Sequence, residues 1–597
     1  MKQRIGVYIC HCGGNISDYV DVEQLSKLIA NEDNVVISKD VMFACSDSNQ
    51  KEMIQDIQEK QLDAIVVASC SPKLHTHTFR NVALRAGINP YNYVQVNVRE
   101  QCSWAHSDTP LDATVKAYGL IRAGINRVAY SEALENIEIE AQKAVAVVGA
   151  GVAGMRAAIE LARLGNSVYL IEKEEQVGGR VAQNGKLFMT GEDGKALTQR
   201  LLNEIKSLSQ INLFTKATLE KVSGSIGNFF LDVNVDGNLL KLNVGAVLVT
   251  TGFDFYQPAA NEYGFGQTQR VITLQEFKQL IENNTNELII DGRPVKNIAY
   301  IYCVGNRQSK GPNRYCSRFC CTAAIHSSIR AHEKFIGVKA FHFYRDIRTY
   351  GKQEILYRQS SLNDDVYLKF EEKEPPVIEV DNGYPVVKVK DYLTSKKEII
   401  LKADLVVLVT GMVARSDSGQ VSEKLKIPIG NDKFFNEIHP KLRPVETVIN
   451  GVYIGGACQG PKNISESVQS ALAGVAKINA LLKKGKIALE PIVARVNAEA
   501  CLWCGKCAEV CDYDAIKPLE MNGKMVAEVN VVTCKGCGIC APVCPSDAIE
   551  IAEYSNQGIE SMIAGFAAKA EIKQSETHHK EEIKHTQVGM KEYPEEW

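Results

Sequence analysis

Cys501, Cys504, Cys507 and Cys511 are separated by two, two and three residues, and the same spacing returns at Cys534, Cys537, Cys540 and Cys544, which Pro545 follows. A loop of this spacing wraps three thiolates round one [4Fe–4S] cube, and the fourth cysteine of each run crosses to the other cube. One cluster is therefore expected on Cys501, Cys504, Cys507 and Cys544, and a second on Cys534, Cys537, Cys540 and Cys511. Zinc is the alternative, but tetrahedral ribbons use paired CxxC knuckles rather than three thiolates in one run. Asp512 stands where a proline would usually follow Cys511, a departure that bears on one cluster's potential. A second group, Cys303, Cys316, Cys320 and Cys321, is dense enough for another tetrathiolate iron–sulfur or zinc site. A third is looser: Cys10, Cys12, Cys45, Cys70 and Cys102 each end or follow an apolar run.

Those runs are IGVYIC (5–10), NVVIS (34–38), DAIVVAS (63–69) and NYVQVNV (92–98), with helically spaced stretches between them. Strand and helix in alternation predict a small parallel α/β domain over residues 1–130. In such a domain the carboxyl ends of the strands converge on one crevice, so the five thiols would face one another. A four-thiolate cluster on Cys12, Cys45, Cys70 and Cys102, with Cys10 spare, is expected there. The rival is a redox-active or merely buried thiol group.

VAVVGAGVAG (145–154) reads as a buried strand running into Gly149, Gly151 and Gly154 and then a helix. Gly149 permits the tight turn, Gly151 lets the backbone approach a pyrophosphate, and Gly154 lets helix and strand pack closely. The next strand, SVYLIEK, ends at Glu172 and Lys173, where an acidic side chain reaches the ribose hydroxyls. Gly179 and Arg180 then form a GGR turn that resembles that of the two-dinucleotide-binding flavoproteins, which favours FAD over NAD. AVLVTTG and LVVLVTG, ending at Gly252 and Gly411, resemble that family's ATG segments. Gly456, Ala457, Lys462, Asn463 and Ile464 lie in a segment (451–474) that resembles the one wrapping the flavin. Cys458 stands where many of those flavoproteins have Asp, and reads as a small buried residue.

Thioredoxin-reductase-like flavoproteins carry a second glycine fingerprint for the nicotinamide dinucleotide. The corresponding strand here, NIAYIYCVGN (297–306), lacks it and has Cys303 at its end. A cluster in that pocket would exclude hydride transfer from NAD(P)H at this place.

The 18 cysteines among 597 residues suit metal or redox chemistry better than disulfides in a chain with no secretory signal. A net charge of −3 gives no electrostatic case for nucleic acid, and no apolar run is long enough to span a membrane. A cytoplasmic location is expected. The remaining boundaries fall at 143–485 for the flavin domain, 490–555 for the paired-cluster module of bacterial ferredoxin type, and 570–597 for a polar tail.

GVYICHCGGNI, SCSPKLH, REQCSWAH, CVGNRQ…YCSRFCC and GGACQGPKNI together resemble the A-type subunit of heterodisulfide reductase. The resemblance implies an α/β fold with a thioredoxin-reductase-like FAD core, a non-standard [4Fe–4S] site matching Cys303, Cys316, Cys320 and Cys321, and a C-terminal ferredoxin domain. It implies a hetero-oligomer, with a dimeric form as a variant. The partners it implies are B- and C-like iron–sulfur subunits, ferredoxin, and a hydrogenase, formate dehydrogenase or NADH-oxidising module. It also implies flavin-based electron bifurcation; plain electron transfer and an NAD(P)H:ferredoxin-type oxidoreductase are the alternatives. An additional ferredoxin domain that some relatives insert after the GGR turn is absent. The family's flavin-proximal lysine is matched here by His326, whose imidazole would tune the flavin or relay a proton while titrating near neutrality.

Overall fold

In the computed structural model, residues 3–188, 190–394 and 397–567 are described, so the expected polar tail lies outside the described residues. Ile5–Cys10, Val35–Val41, Ala64–Ser69 and Tyr93–Asn97 pair in parallel, the first strand lying between the second and third. Ile5–Cys10 and Ala64–Ser69 are buried along their whole length, as parallel strands covered on both faces must be. Val22–Ile29, Asp47–Glu59 and Pro72–Ala86 are the crossover helices. Each starts where a side chain, Asp21, Ser46 or Ser71, accepts a backbone amide hydrogen bond.

The iron–sulfur module is built from two antiparallel pairs, Ala494–Val496 with Ile549–Ile551 and Ile516–Met521 with Lys524–Val529. After it, helix Asn556–Ala567 packs on helix Pro110–Val128. Small residues let the two approach: a Cβ on Gly119 would stand 3.2 Å from Phe566, and one on Gly565 would stand 2.8 Å from Asn126. The described residues 3–137 and 489–567 accordingly form one compact unit. No motif or spacing marks the first and last domains as packing partners.

Residues Glu138–Ala488 form the other unit. It contains two five-stranded parallel sheets. Val452–Ile454, Ala246–Val249, Ala144–Val148, Ser167–Ile171 and Ile211–Phe214 make the first, in that spatial order. Val271–Thr273, Leu405–Thr410, Asn297–Val304, Lys339–Tyr344 and Val366–Lys369 make the second. Each five-stranded sheet is accompanied in sequence by a three-stranded antiparallel one, 217–244 and 377–402. Asp254–Phe255 and Met412–Val413 pair where the chain crosses between the two halves. This is the two-dinucleotide-binding arrangement.

A buried polar cluster ties helix Cys320–Lys334 to the second sheet. Asp365 accepts hydrogen bonds from Ser328 (2.8 Å) and His332 (2.6 Å), and His342 stacks between Tyr300 and Tyr367 at centroid distances of 4.8 and 4.6 Å. Among the described residues no helix is long and apolar enough to cross a membrane.

Candidate functional site

A cavity of about 1190 Å³ opens beside the glycine turn. That exceeds the roughly 300–1,000 Å³ usual for small-ligand pockets and leaves room for an extended dinucleotide. Gly149 sits at φ +104° with Thr250's carbonyl where a side chain would go, and a Cβ on Gly154 would lie 1.9 Å from Gly149's oxygen. Both glycines are fixed by protein packing. Gly151 differs: a Cβ there would meet no protein atom within 4 Å, and the residue lines the cavity. The space in front of it is a cradle that a pyrophosphate fits. Thr251, also on the wall, keeps its hydroxyl buried without a partner among the described residues.

Glu172 lines the same cavity. Its carboxylate accepts the amides of Ala150 (2.7 Å) and Glu174 (3.0 Å), which leaves each oxygen a lone pair for a ribose hydroxyl. Lys173 is at the wall but held by Asp417 at 2.6 Å. The GGR turn folds onto the glycine turn, since Gly178 donates to Ala150's carbonyl at 2.7 Å and Gly179 and Arg180 face the cavity. Gly252, Ala457, Lys462, Asn463 and Ile464 line it too. Gly411 and Gly456 do not. Gly411 is instead pressed against the cysteine loop, where a Cβ would stand 2.6 Å from Asn306 and 2.8 Å from Ser317. Cys458 is buried and donates to the carbonyls of Gly455 (3.1 Å) and Val249 (3.3 Å), so it is a packed thiol beneath the segment.

His326 faces the cavity from helix Cys320–Lys334. The expectation of an imidazole titrating near neutrality is corrected. Burial first, and then the charges of Lys278 and Arg330, hold it down to about 4, so it is neutral at physiological pH.

The second sheet shows why a nicotinamide dinucleotide has no fingerprint here. In a nucleotide-binding unit a tight glycine turn joins strand to helix. Here strand Asn297–Val304 ends in an irregularity of pairing between Ile301 and Val304, with Cys303 in the left-handed region at φ 63°. The loop 305–319 intervenes, and the helix begins on Cys320 and Cys321. Left-handed backbone at a non-glycine residue is strained and concentrates at functional sites. The four thiols bear on one another electrostatically: Cys321 on Cys303, and both Cys303 and Cys316 on Cys320. Arg307 lies 3.9 Å from Cys303's sulfur, and Arg345 and Arg348 add further positive charge. Cys320's hydrogen bond, with Arg348 and Arg307, draws Cys321 below the usual thiol range. Asn306, almost fully buried beside this loop, has both side-chain amide atoms without a partner among the described residues. An orphaned amide and three guanidiniums suit a negatively charged tetrathiolate cluster, whose potential depends on such hydrogen bonds and charge.

In the paired runs, Cys501, Cys507 and Cys540 are in the module's core, with Cys511, Cys534 and Cys544 packed against it, while Cys504 and Cys537 are exposed. Amide hydrogen bonds reach the sulfurs in a repeated pattern. Ala527 donates to Cys501 and Ala494 to Cys534, while Ala515 donates to Cys511 and Ala548 to Cys544. Each bond in one half thus has a counterpart in the other. Among the described residues no three His, Cys, Asp or Glu side chains converge as a single metal ion requires. A cube instead spreads its thiolates over separate iron corners.

In the first domain, Cys10 accepts amides from Cys12 (3.3 Å) and Ala44 (3.4 Å), and its charged neighbours include Cys12 and Cys45. Cys70 lies in the field of Arg99, Cys12 and Cys10. Cys12 adopts φ 54° and receives Arg99 at 3.7 Å. Cys102 is placed differently: it is wholly buried in a π-turn, and the charge that bears on it is Lys116. Cys10 thus lies in the field of Cys12 and Cys45 and bears on Cys70, while Cys102 belongs to the same buried core.

Several residues of the cavity wall, Lys278, Phe188 and Phe319 among them, carry no functional mark in the sequence. They sit in stretches that read as ordinary amphipathic helix or loop.

Two segments match known families: 143–298 matches the pyridine nucleotide-disulphide oxidoreductase family, and 494–551 the 4Fe-4S dicluster domain. Over 608 residues the chain is 34% identical to the second A-type iron–sulfur subunit of the CoB–CoM heterodisulfide reductase of Methanopyrus kandleri, covering 88% of this chain and 92% of that one. It is 32% identical to the A-type subunit of the H(2):CoB-CoM heterodisulfide,ferredoxin reductase of Methanothermobacter thermautotrophicus, covering 86% and 90%. The solved thioredoxin reductase of T. acidophilum aligns at 17% identity with a TM-score of 0.39, covering 57% of this chain and 99% of that one.

Proposed function

Because the chain belongs to the family of heterodisulfide reductase A-type subunits, we propose that it splits or merges electron pairs at FAD beside a cluster held by Cys303, Cys316, Cys320 and Cys321. That the chain is an FAD and iron–sulfur electron-transfer subunit of a larger redox complex follows from the family and its two matched segments. The finer reading rests on one observation above the others. A cysteine loop stands at the end of strand Asn297–Val304, where a nicotinamide site needs a glycine turn.

Bound FAD supplies the exchange between two-electron and one-electron transfer, and [4Fe–4S] clusters carry single electrons. The chain's residues set the conditions. Gly149 permits the tight turn, Gly151 clears space for the pyrophosphate, and Glu172 presents its carboxylate to the ribose. Phe188 and Phe319 present aromatic rings to the cavity. Arg307, Arg345 and Arg348 offset the negative charge of four thiolates. Two further clusters are assigned to Cys501, Cys504, Cys507 with Cys544, and to Cys534, Cys537, Cys540 with Cys511. A fourth is assigned to Cys12, Cys45 and Cys70, with Cys10 favoured over Cys102 as the remaining ligand.

The name of the Methanothermobacter relative joins hydrogen, a heterodisulfide and ferredoxin. For this chain we take the partners to be B- and C-like iron–sulfur subunits, ferredoxin, and a hydrogenase, formate- or NADH-oxidising module. Bifurcation is the mode of transfer proposed. It predicts crossed one-electron flavin potentials, so anaerobic redox titration should carry the flavin absorbance directly from oxidised to two-electron-reduced. An intermediate flavin spectrum that accumulates during the titration would contradict bifurcation. A flavin that stays oxidised across the working range of the clusters would contradict electron splitting altogether.

A further inference from the structure

Lys278 projects from helix Leu274–Asn283 into the wall of the large cavity, beside His326. Its ammonium lies 6.0 Å from the centre of the Phe319 ring. Among the described residues it has no carboxylate within ion-pair distance. Glu282 is one helical turn away on the same helix, but it faces Arg330 at 3.7 Å and Lys334 at 3.6 Å. Arg330 is further neutralised by Glu333. Of the cations round His326, Lys278 is therefore the one left without a counter-charge.

Lys278 is half-buried, and an unpaired ammonium there is costly; natural chains keep one where a ligand completes the pair or a reaction uses it. The surroundings say which kind of ligand. Phe188 packs 6.0 Å from His326, and Phe319 and Ala323 line the same stretch. That is a wall for a flat aromatic body. The glycine turn and Glu172, which suit the diphosphate and ribose, belong to the other five-stranded sheet.

We propose that Lys278 is the flavin-facing cation of this protein, placed to stabilise the negative charge that the isoalloxazine gains on reduction, while His326 is its neutral neighbour. The inference rests on the reading of the cavity as an FAD site. Burial draws Lys278 down to about 8, which keeps the ammonium the majority form at neutral pH. The two groups divide the work because two adjacent cations in one desolvated wall repel, and the imidazole gives up its proton first.

The test uses the full chain loaded with FAD, as wild type, K278Q, K278R and H326A, with inorganic sulfite as probe. Sulfite adds to the oxidised flavin as an anion, and its affinity reads the local positive charge through bleaching of the flavin band. K278Q is expected to weaken sulfite binding about tenfold or more. It should also shift the flavin's two-electron reduction equilibrium about tenfold toward oxidised, about 30 mV. K278R should restore both, and H326A should change neither by more than about twofold. Equal effects of K278Q and H326A, or none from K278Q at full FAD occupancy, would overturn the proposal. So would a loss of FAD affinity with unchanged sulfite binding, which would put the ammonium on the diphosphate. Should K278Q not retain FAD, K278M and K278R carry the same comparison. Failure of the wild-type chain to take up FAD would instead defeat the reading of the cavity.

Discussion

Cys320→Ser, in chain prepared and assembled without oxygen, is expected to lose about four iron and four sulfide per chain while its FAD content stays unchanged. A serine hydroxyl remains protonated near neutral pH and is a poor soft ligand for iron, whereas a thiolate binds it readily. The geometry makes this position sensitive. Cys320 begins the helix, where amide donors and the dipole favour negative charge. It shares the site with Cys303, fixed in left-handed backbone, and with the charges of Arg307 and Arg348, which are also paired to Asp346. A full complement of four cubes is about sixteen iron, so the loss is about a quarter, well within the resolution of iron analysis. Serine at Cys10 should remove a similar share. Serine at Cys102 should not, because the charge that bears on Cys102 is that of Lys116. Unchanged iron in Cys320→Ser would mean that the loop holds no cluster.

Gly151→Ala is expected to leave folding intact and to weaken FAD binding by about ten- to a hundredfold, the equivalent of a 1–3 kcal/mol overpacking cost. The added methyl meets no protein atom within 4 Å, so the free chain has no clash to relieve. It occupies the space where a pyrophosphate must approach the backbone. Gly154→Ala makes the contrast. There the new carbon would stand 1.9 Å from Gly149's oxygen and 2.6 Å from Thr250's hydroxyl, so stability should fall together with flavin content. Thermal melting and equilibrium flavin binding, measured on both variants, separate the two roles. If Gly151→Ala held FAD as tightly as wild type, the cradle would be assigned to the wrong turn.

Much of this was legible in the residues because the chemistry imposes its own spacing. The paired ferredoxin-type cubes announce themselves by CxxCxxC, a pyrophosphate by glycine at the turn, and a parallel sheet buried on both faces by unbroken apolar runs such as IVVAS. The strand ends that collect the N-terminal thiols followed from topology. What was not legible depends on side chains meeting across elements. The proposed preference for Cys10 over Cys102 turns on a π-turn at Cys102 and on amide bonds to the Cys10 sulfur, neither of which a local pattern marks. Gly411 reads as part of an ATG segment, yet its lack of a side chain serves the cysteine loop through Asn306 and Ser317. His326 is neutral because of burial first and then the charges of Lys278 and Arg330, which no local pattern marks. The helix Asn556–Ala567, which joins the last module to the first domain, shows only an ordinary amphipathic sequence.

The flavin of this chain, on the reading proposed, exchanges electrons with protein-bound clusters and not with a pyridine nucleotide. Rapid mixing of the anaerobic, cluster-replete chain with excess NADPH, and separately NADH, tests that most directly, with no other chain present. The flavin absorbance is expected to stay oxidised with either nucleotide, yet to bleach when a reduced low-potential ferredoxin is supplied. Rapid bleaching by NADPH or NADH alone would contradict it.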